Sequence, residues 1–401
     1  MANIISKFKN LNSTDFKIGD SALKKKFNRL LKEIEFDLNK KRNVFQTFNK
    51  DYKINTKILN KFKKFKFIII IGMGGSTLGA EAIYSFLKSK IKKDIYFLNN
   101  LEINKLKEIS NKKIINKSLF IIISKSGETL ETLSLVNSFQ KGVFKQSNSI
   151  IITENKKNSL KLFAEERKIL VIDHKRYIGG RYSVLSEVGM IPAFLMGLKV
   201  NDFKKKILKF LKNNSSLLRQ NVLDLSKINL TKNYRSVVFL SYSPELNEFA
   251  NWCQQLISES LGKKGKGLMP ILSVAPKDHH CMLQLYLDGP KDKVFYILSL
   301  EKSDNRLIKN LFKKKDKIFR KKGINKIILA QKNALIQNFN DLKIPYREIT
   351  LKNIKESSIG EIFSYFIVET FLVGKLMNIN PFDQPAVEKV KQITQNKLLK
   401  N

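Results

Sequence analysis

Two cysteines, three histidines and one tryptophan are all that this chain of 401 residues carries of those types. Cys253 and Cys281 cannot build a disulfide framework; so few thiols fit a reducing compartment and a packing role. Acidic residues are scarce too, with 35 Asp and Glu against 75 Lys and Arg. No apolar run reaches the roughly 18 residues a membrane-crossing helix needs. The longest, around Phe67–Ile71 and Leu119–Ile123, have the length of buried strands. The opening residues MANIISKFKNLNSTDFK hold no uninterrupted apolar core and no small-residue cleavage site. A secretory leader is therefore not expected, and the expected location is cytoplasmic.

The formal net charge is +40. Such a balance raises nucleic acid or an anionic membrane as a partner. The lysines, however, are spread over the whole chain among many Asn and Ile, the composition that AT-rich coding imposes. No aromatic-interleaved nucleic-acid module accompanies runs such as Lys61–Lys66. The expectation is no nucleic-acid partner and no membrane partner, with a positive surface that steers anionic substrates inward. With 43% hydrophobic residues the chain has ample material for buried cores, and its length favours two domains.

Residues 1–60 read as a polar, basic helical segment. Short β-rich runs then alternate with helical patterns: Phe67–Gly72, Ile95–Asn100, Leu119–Ser124, Ser149–Thr153 and Ile169–Asp173. The rhythm restarts after a basic helical stretch near Asp202–Gln220, with Ser236–Ser243, Gly267–Ala275, Val294–Leu300, Lys326–Ala330 and Arg347–Leu351. Alternation of this kind predicts α/β architecture with two doubly wound parallel sheets. The expected units are 61–200 and 201–375, followed by a C-terminal helical arm, 376–401, with a break near Pro381. In open parallel sheets ligands bind beyond the carboxyl ends of the strands, and the chemistry-bearing motifs fall at such ends.

GMGGSTLG (Gly72–Gly79) follows a strand and precedes a helix. Its glycines let backbone approach an anion, and Gly75 and Ser76 lead the candidates. The spacing is wrong for a dinucleotide fingerprint, and the next strand ends in Asn99-Asn100 rather than an acid. SKSGETLET (Ser124–Thr132) again opens a helix, and Ser124, Ser126, Thr129 and Thr132 can aim hydroxyls at one anion, with Lys125 adding charge. Helix capping explains such hydroxyls equally well. In GGRYSVLSEVG (Gly179–Gly189) a glycine pair places Arg181 before an apolar helix, where it can face an oxyanion or serve an ion pair. Glu259 lies in QLISESLGKKGKG (Gln255–Gly267), four residues after Gln255 and so on the same helical face; a partly buried glutamate can act as a base. His279 and His280 suit proton transfer better than metal ligation, since no His/Cys pattern has zinc spacing. In FDQPAVEKVK (Phe382–Lys391), Gln384 and Lys391 are seven apart and would share a face if the segment were helical.

These six segments, in this order, resemble the glucose-6-phosphate isomerase family. The family patterns GIGGSxLG, SKxxxTxET, GGRxSxxSxxG, QxxxES-GK, HxxxQ and FDQxxVxxxK have counterparts here across about residues 67–392. The resemblance implies two sugar-isomerase (flavodoxin-like) domains in a homodimer and cofactor-free interconversion of glucose 6-phosphate and fructose 6-phosphate through an enediolate, a step of glycolysis and gluconeogenesis. It implies a phosphate cradle of Ser76, Ser124, Lys125, Ser126, Thr129 and Thr132, beside Gly75. It implies Glu259 as the base between C2 and C1, with Arg181 facing the enediolate. Ring opening falls to His280 of the neighbouring subunit and to Lys391, while Gln255 and Gln384 position substrate. Neither a metal nor a redox cofactor is implied. Glu128 departs from the pattern, because many members carry an uncharged residue there; beside a dianionic phosphate a carboxylate is costly unless it points outward. The alternatives are a dual phosphoglucose/phosphomannose isomerase and a non-catalytic sugar-phosphate sensor, which would need the cradle but not Glu259, His280 and Lys391 together.

Overall fold

The computed structural model describes residues 3–11, 20–38, 42–231, 233–301, 307–309, 311, 316–319 and 322–399. Among these, ten strands form two sheets: β1 (Ile4–Ile5), β2 (Phe67–Gly72), β3 (Asp94–Leu98), β4 (Ser118–Ile123), β5 (Ser149–Thr153), β6 (Leu170–Asp173), β7 (Ser236–Ser241), β8 (Met269–Val274), β9 (Lys293–Leu300) and β10 (Tyr346–Leu351). The central strands are runs of β-branched residues because helices cover both faces, so alternation gives way to continuous burial. Ile68 to Ile71 and Leu119 to Ile123 are fully buried.

The first sheet has the order β3-β2-β4-β5-β6, all parallel. The second has β8-β7-β9-β10-β1, parallel except for β1, which runs antiparallel to β10. Both sheets share one winding. The chain steps to one side, returns past its first strand, and continues on the other side. The crevice in which the chain reverses lies between β2 and β4 in the first sheet, and between β7 and β9 in the second. This is where open α/β sheets take ligands.

Two expectations need correction. Lys326–Ala330 is not a strand; it lies within the helix Ile324–Asp341. Its apolar run belongs to a longer helical stripe that buries Leu335 and Phe339, and short apolar runs are ambiguous between the two periods. The fifth place in the second sheet is instead taken by β1, so residues 1–60 do not form a purely helical segment. They contribute that strand, the helix Asp20–Leu38 and two short helical turns. The sheets themselves fall within the ranges 61–200 and 201–375, apart from β1.

The helix Glu356–Leu376 is buried along almost its whole length and packs against the helices Asp20–Leu38, Ser215–Leu230 and Asn247–Leu261. The last of these also packs against the helix Leu78–Leu87 of the first unit, which joins the two halves. The C-terminal helix Glu388–Leu399 buries no residue. Cys253 is buried and Cys281 exposed, so a packing role applies only to the former. No helix of the described residues is long and apolar enough to cross a membrane.

One buried ion pair pins the central helix to the second sheet. Arg347 on β10 holds Glu369 through two bonds of 2.6 and 2.7 Å, and both side chains are essentially inaccessible. The guanidinium also lies 3.9 Å from the Tyr296 ring centroid. Removing one member of such a pair leaves an uncompensated buried charge. Glu369→Ala should therefore lose about 3–5 kcal/mol of stability, read as a lowered midpoint in urea unfolding.

Candidate active site

The turn after β2 is backbone packed on backbone. Gly74 adopts a φ of +52°, and a Cβ there would lie 2.8 Å from the Gln255 amide nitrogen. A Cβ on Gly75 would lie 2.3 Å from the carbonyl carbon of Gly180. Only glycine permits that approach, and it seats the Gly179–Gly180 turn, with Arg181 behind it, directly against the first motif. Ser76 is half-buried in the short turn Gly74–Ser76 just before the helix Leu78–Leu87.

The second turn follows β4, the neighbouring strand. Its hydroxyls do not cap their own helix. Thr129 is the residue before the helix Leu130–Asn137, yet it makes no capping bond; its hydroxyl meets that of Ser124 at 2.9 Å. Ser124 also accepts from the Gly127 N–H at 3.2 Å, and Ser126 from the Glu128 N–H at 3.1 Å. Thr132 is buried and its hydroxyl has no partner. The helix Leu78–Leu87 likewise lacks a side-chain cap. Two uncapped helix starts and an orphan hydroxyl at one crevice are what an anion would satisfy.

Glu128 and Lys125 both point away from this cradle. The Glu128 carboxylate accepts from the Ser159 N–H at 2.6 Å and its hydroxyl at 2.7 Å, which places its charge at the start of the helix Ser159–Glu166. A carboxylate is favourable there. The Lys125 ammonium donates to the Arg176 carbonyl at 2.7 Å and lies 3.8 Å from Glu154. Its side chain is therefore not part of the cradle.

Glu259 ends the helix Asn247–Leu261 and is partly open, with 28% of its side chain exposed. Three donors fix its carboxylate. Gln255 bonds one oxygen at 2.9 Å; Arg181, at 3.1 Å, and Gln384 bond the other. A carboxylate has about four acceptor positions, so one remains for a proton from a substrate. Arg181 is buried and uses three further bonds: to the Ser260 hydroxyl at 2.9 Å, the Pro381 carbonyl at 2.5 Å and the Asp383 carbonyl at 3.2 Å. Four of its five N–H donors are thus engaged.

The 381–384 turn that brings Gln384 here is itself docked. Tyr182 donates to the Pro381 carbonyl at 2.9 Å. Lys263 donates to the Asn380 carbonyl at 2.6 Å and to Asp383 at 2.8 Å, and that bond holds the Asp383 carboxyl below its ordinary range. Ser260, Tyr182, Lys263 and Asp383 were not singled out from the sequence. Their only signal is that each neighbours a chosen residue or stands inside a chosen motif.

The structure thus gathers Gly75, Ser76, Ser124, Ser126, Thr129 and Thr132 at one crevice, and Arg181, Gln255, Glu259 and Gln384 beside it. It does not gather His280 or Lys391. His280 is exposed on the short turn Lys277–His280 after β8, whereas His279 meets the Tyr242 hydroxyl at 2.8 Å. Lys391 is exposed and paired with Glu388 at 2.7 Å. The expected shared face with Gln384 does not arise, because Gln384 precedes the helix and is not itself helical. Among the described residues no group of three or more His, Cys, Asp or Glu side chains could hold a metal ion.

A family model described as phosphoglucose isomerase matches residues 31–274, a range that contains both turns, Arg181 and Glu259. The chain is 32% identical to the glucose-6-phosphate isomerase of Methanocaldococcus jannaschii, over 84% of this chain and 86% of that one. It is 31% identical to that of Mycoplasmopsis synoviae, over 87% of both. Among solved structures, a hypothetical protein from Thermus thermophilus superposes with a TM-score of 0.83 at 21% identity, over 99% of each chain. A glucose-6-phosphate isomerase from Chlamydia trachomatis gives 0.77 at 17% identity, over 96% of this chain and 87% of that one.

Lys263 makes a prediction possible that needs no substrate. Lys263→Met removes two charge-assisted bonds from the 380–384 turn, each worth about 1.5–3 kcal/mol. Amide hydrogen exchange across 380–384 should speed up by about 10- to 100-fold, with the sheets unchanged, and Lys263→Arg should restore part of the protection.

Proposed function

The chain belongs to the phosphoglucose isomerase family, and from that membership we propose how its residues interconvert glucose 6-phosphate and fructose 6-phosphate. The observation that carries the reading is the Glu259 carboxylate, held by three N–H donors beside the hydroxyl-rich turns that suit an anion. Moving a carbonyl from C1 to C2 needs one base that removes a proton and returns it to the neighbouring carbon. Glu259 is that base. Its fixed orientation is what lets a single group serve both carbons.

The cradle of Ser76, Ser124, Ser126, Thr129 and Thr132 holds the phosphate, and the orphan Thr132 hydroxyl gains a partner when it does. Fixing the phosphate holds the reacting carbons near Glu259, which converts an encounter into a positioned reaction. Arg181 keeps one N–H for the oxygen on which negative charge develops, in a setting shielded from water. Gln255 and Gln384 fix the base, and the Gln255 carbonyl oxygen, buried without a partner, accepts from a sugar hydroxyl. The reaction proceeds without metal or redox cofactor, as a step of glycolysis and gluconeogenesis in the cytoplasm.

Ring opening needs an acid that this chain does not bring to its own site. His280, exposed after β8, supplies it across a homodimer, each protomer serving its partner. No step is assigned to Lys391, whose side chain is directed to Glu388.

Two experiments test this reading. A metal-free assay starting from fructose 6-phosphate should show glucose 6-phosphate formation, and Glu259→Gln should reduce turnover by about 10²–10⁴-fold while sugar-phosphate binding persists. Binding without turnover in the unaltered protein would favour a sensor, and turnover of mannose 6-phosphate in parallel would show dual specificity. For the shared site, Glu259→Gln and His280→Ala chains, each inactive alone, are unfolded together and refolded. Mixed dimers contain one intact site, so about a quarter of normal activity should return; no recovery would place His280 outside the partner's site.

A further inference from the structure

The far side of the phosphate loop borders a second concavity. Beyond the carboxyl ends of β5 and β6 lies a cavity of about 1070 Å³, with Arg42, Gln46, Glu154, His174, Arg176 and Tyr177 in its wall. The acids around it are already neutralised. Glu154 pairs with Lys156 at 3.0 Å and with Lys125 at 3.8 Å, and Asp173 pairs with Lys175 at 2.9 Å. Arg42 and Arg176 are left over; among the described residues neither has a carboxylate partner.

Lysine at a surface needs no local explanation in this chain. Arginine does: the sequence has ten arginines against sixty-five lysines, and two of the ten face this one cavity. The guanidinium is a planar fork that matches phosphate oxygens two at a time, which an ammonium does not. His174 adds a polar group to the same wall. It is 2% exposed; burial, with the nearby Lys125 charge, lowers its pKa to about 4, so the ring is neutral. One ring nitrogen lies 3.4 Å from the Lys175 carbonyl, and the other has no hydrogen-bond partner among the described residues. Gln46 bonds the Tyr177 hydroxyl and braces the rim.

We propose that this cavity binds a diphosphate-bearing organic anion, at a site separate from the sugar-phosphate cradle. Two arginines and a neutral imidazole, brought together from the 42 and 174–176 segments, suit adjacent phosphates rather than one, and the volume is ample for a whole small-molecule ligand. The site is wired to the cradle. Lys125 belongs to the phosphate loop, yet its ammonium bonds the Arg176 carbonyl, five residues before Arg181. The Lys125 carbonyl accepts from the Glu154 N–H at 3.1 Å. An anion that draws in Lys125 and Arg176 therefore pulls on both the loop and the Arg181 turn, and so acts as an effector. That coupling rests on the isomerase reading; the binding itself does not.

Inorganic pyrophosphate is the probe, titrated calorimetrically into the full chain with and without saturating fructose 6-phosphate. One-to-one binding should persist under fructose 6-phosphate. It should weaken about tenfold or more in Arg42→Ala/Arg176→Ala but not in Arg29→Ala/Arg167→Ala, which removes the same charge elsewhere. Both arginines are exposed, so isomerase turnover without pyrophosphate should stay within about twofold of normal, which shows that the fold survives; Arg176→Gln alone should weaken binding about threefold. Pyrophosphate binding abolished by fructose 6-phosphate would assign it to the cradle and overturn the proposal. So would equal weakening in both double variants, which would mark bulk charge alone, or no weakening in the first. If fructose 6-phosphate neither binds nor reacts, the isomerase reading fails, while the arginine dependence still decides this one.

Discussion

The candidate site depends on a single buried guanidinium. Arg181 is almost wholly removed from water, and a charge in that position must be compensated by partners with good geometry. Its compensation comes from a carboxylate and a hydroxyl at the end of one helix and from two carbonyls of the 381–384 turn. The same bonds that keep the charge stable therefore set where Glu259 and Gln384 lie. Upstream, the position of Arg181 is imposed by Gly75 against Gly180, a contact with no room for a Cβ. A spacing of glycines in one turn thus reaches the orientation of the Glu259 carboxylate on another unit. Each step is a packing or hydrogen-bonding requirement.

The cradle follows a complementary rule. The chain caps some of its helices with side chains, as at Asn158 and Ser186, and leaves many others uncapped. At the β2 and β4 crevice it caps neither helix, and it buries a threonine hydroxyl without a partner. Unsatisfied polar groups are costly in a folded protein, and a phosphate in the proposed cradle would give that hydroxyl a partner. Glu128, the one residue whose charge conflicts with an anion there, is removed from the conflict by Ser159. The acid stabilises a neighbouring helix start instead.

Much of this was legible before any coordinates. Continuous Ile-rich runs announced buried parallel strands, and the glycine and hydroxyl motifs announced turns at their ends. What was not legible has physical reasons. β1 is two residues long and has no periodicity to detect; only its partner strand defines it. Lys326–Ala330 carries a strand-like composition inside a helical stripe, and composition is the weaker signal. The direction of Lys125 could not be read, since a flexible side chain goes where its hydrogen bonds are, here to a carbonyl fifty-one residues on. For Lys391, counting helical turns back to Gln384 failed because the helix starts at Glu388. The clamp of Tyr182 and Lys263 on the 381–384 turn joins segments more than a hundred residues apart, beyond the reach of local pattern.

The two halves share a winding but not a task. The first sheet carries the hydroxyl-rich turns, while the second unit carries Glu259 and, on its surface, His280. Such a division works only if the halves keep their relation to about the tolerance of a hydrogen bond. The structure meets that demand with buried contacts rather than a linker. The helix that carries Glu259 packs on the helix Leu78–Leu87 that follows Ser76, Lys90 pairs with Glu356 across the boundary at 2.7 Å, and the strand that completes the second sheet comes from the opposite end of the chain. Neither unit is closed without segments from elsewhere. The hydroxyl-rich turns and Glu259 are therefore held at fixed separation by the same burial that stabilises the fold, which is the geometry the proposed single base needs to serve two adjacent carbons.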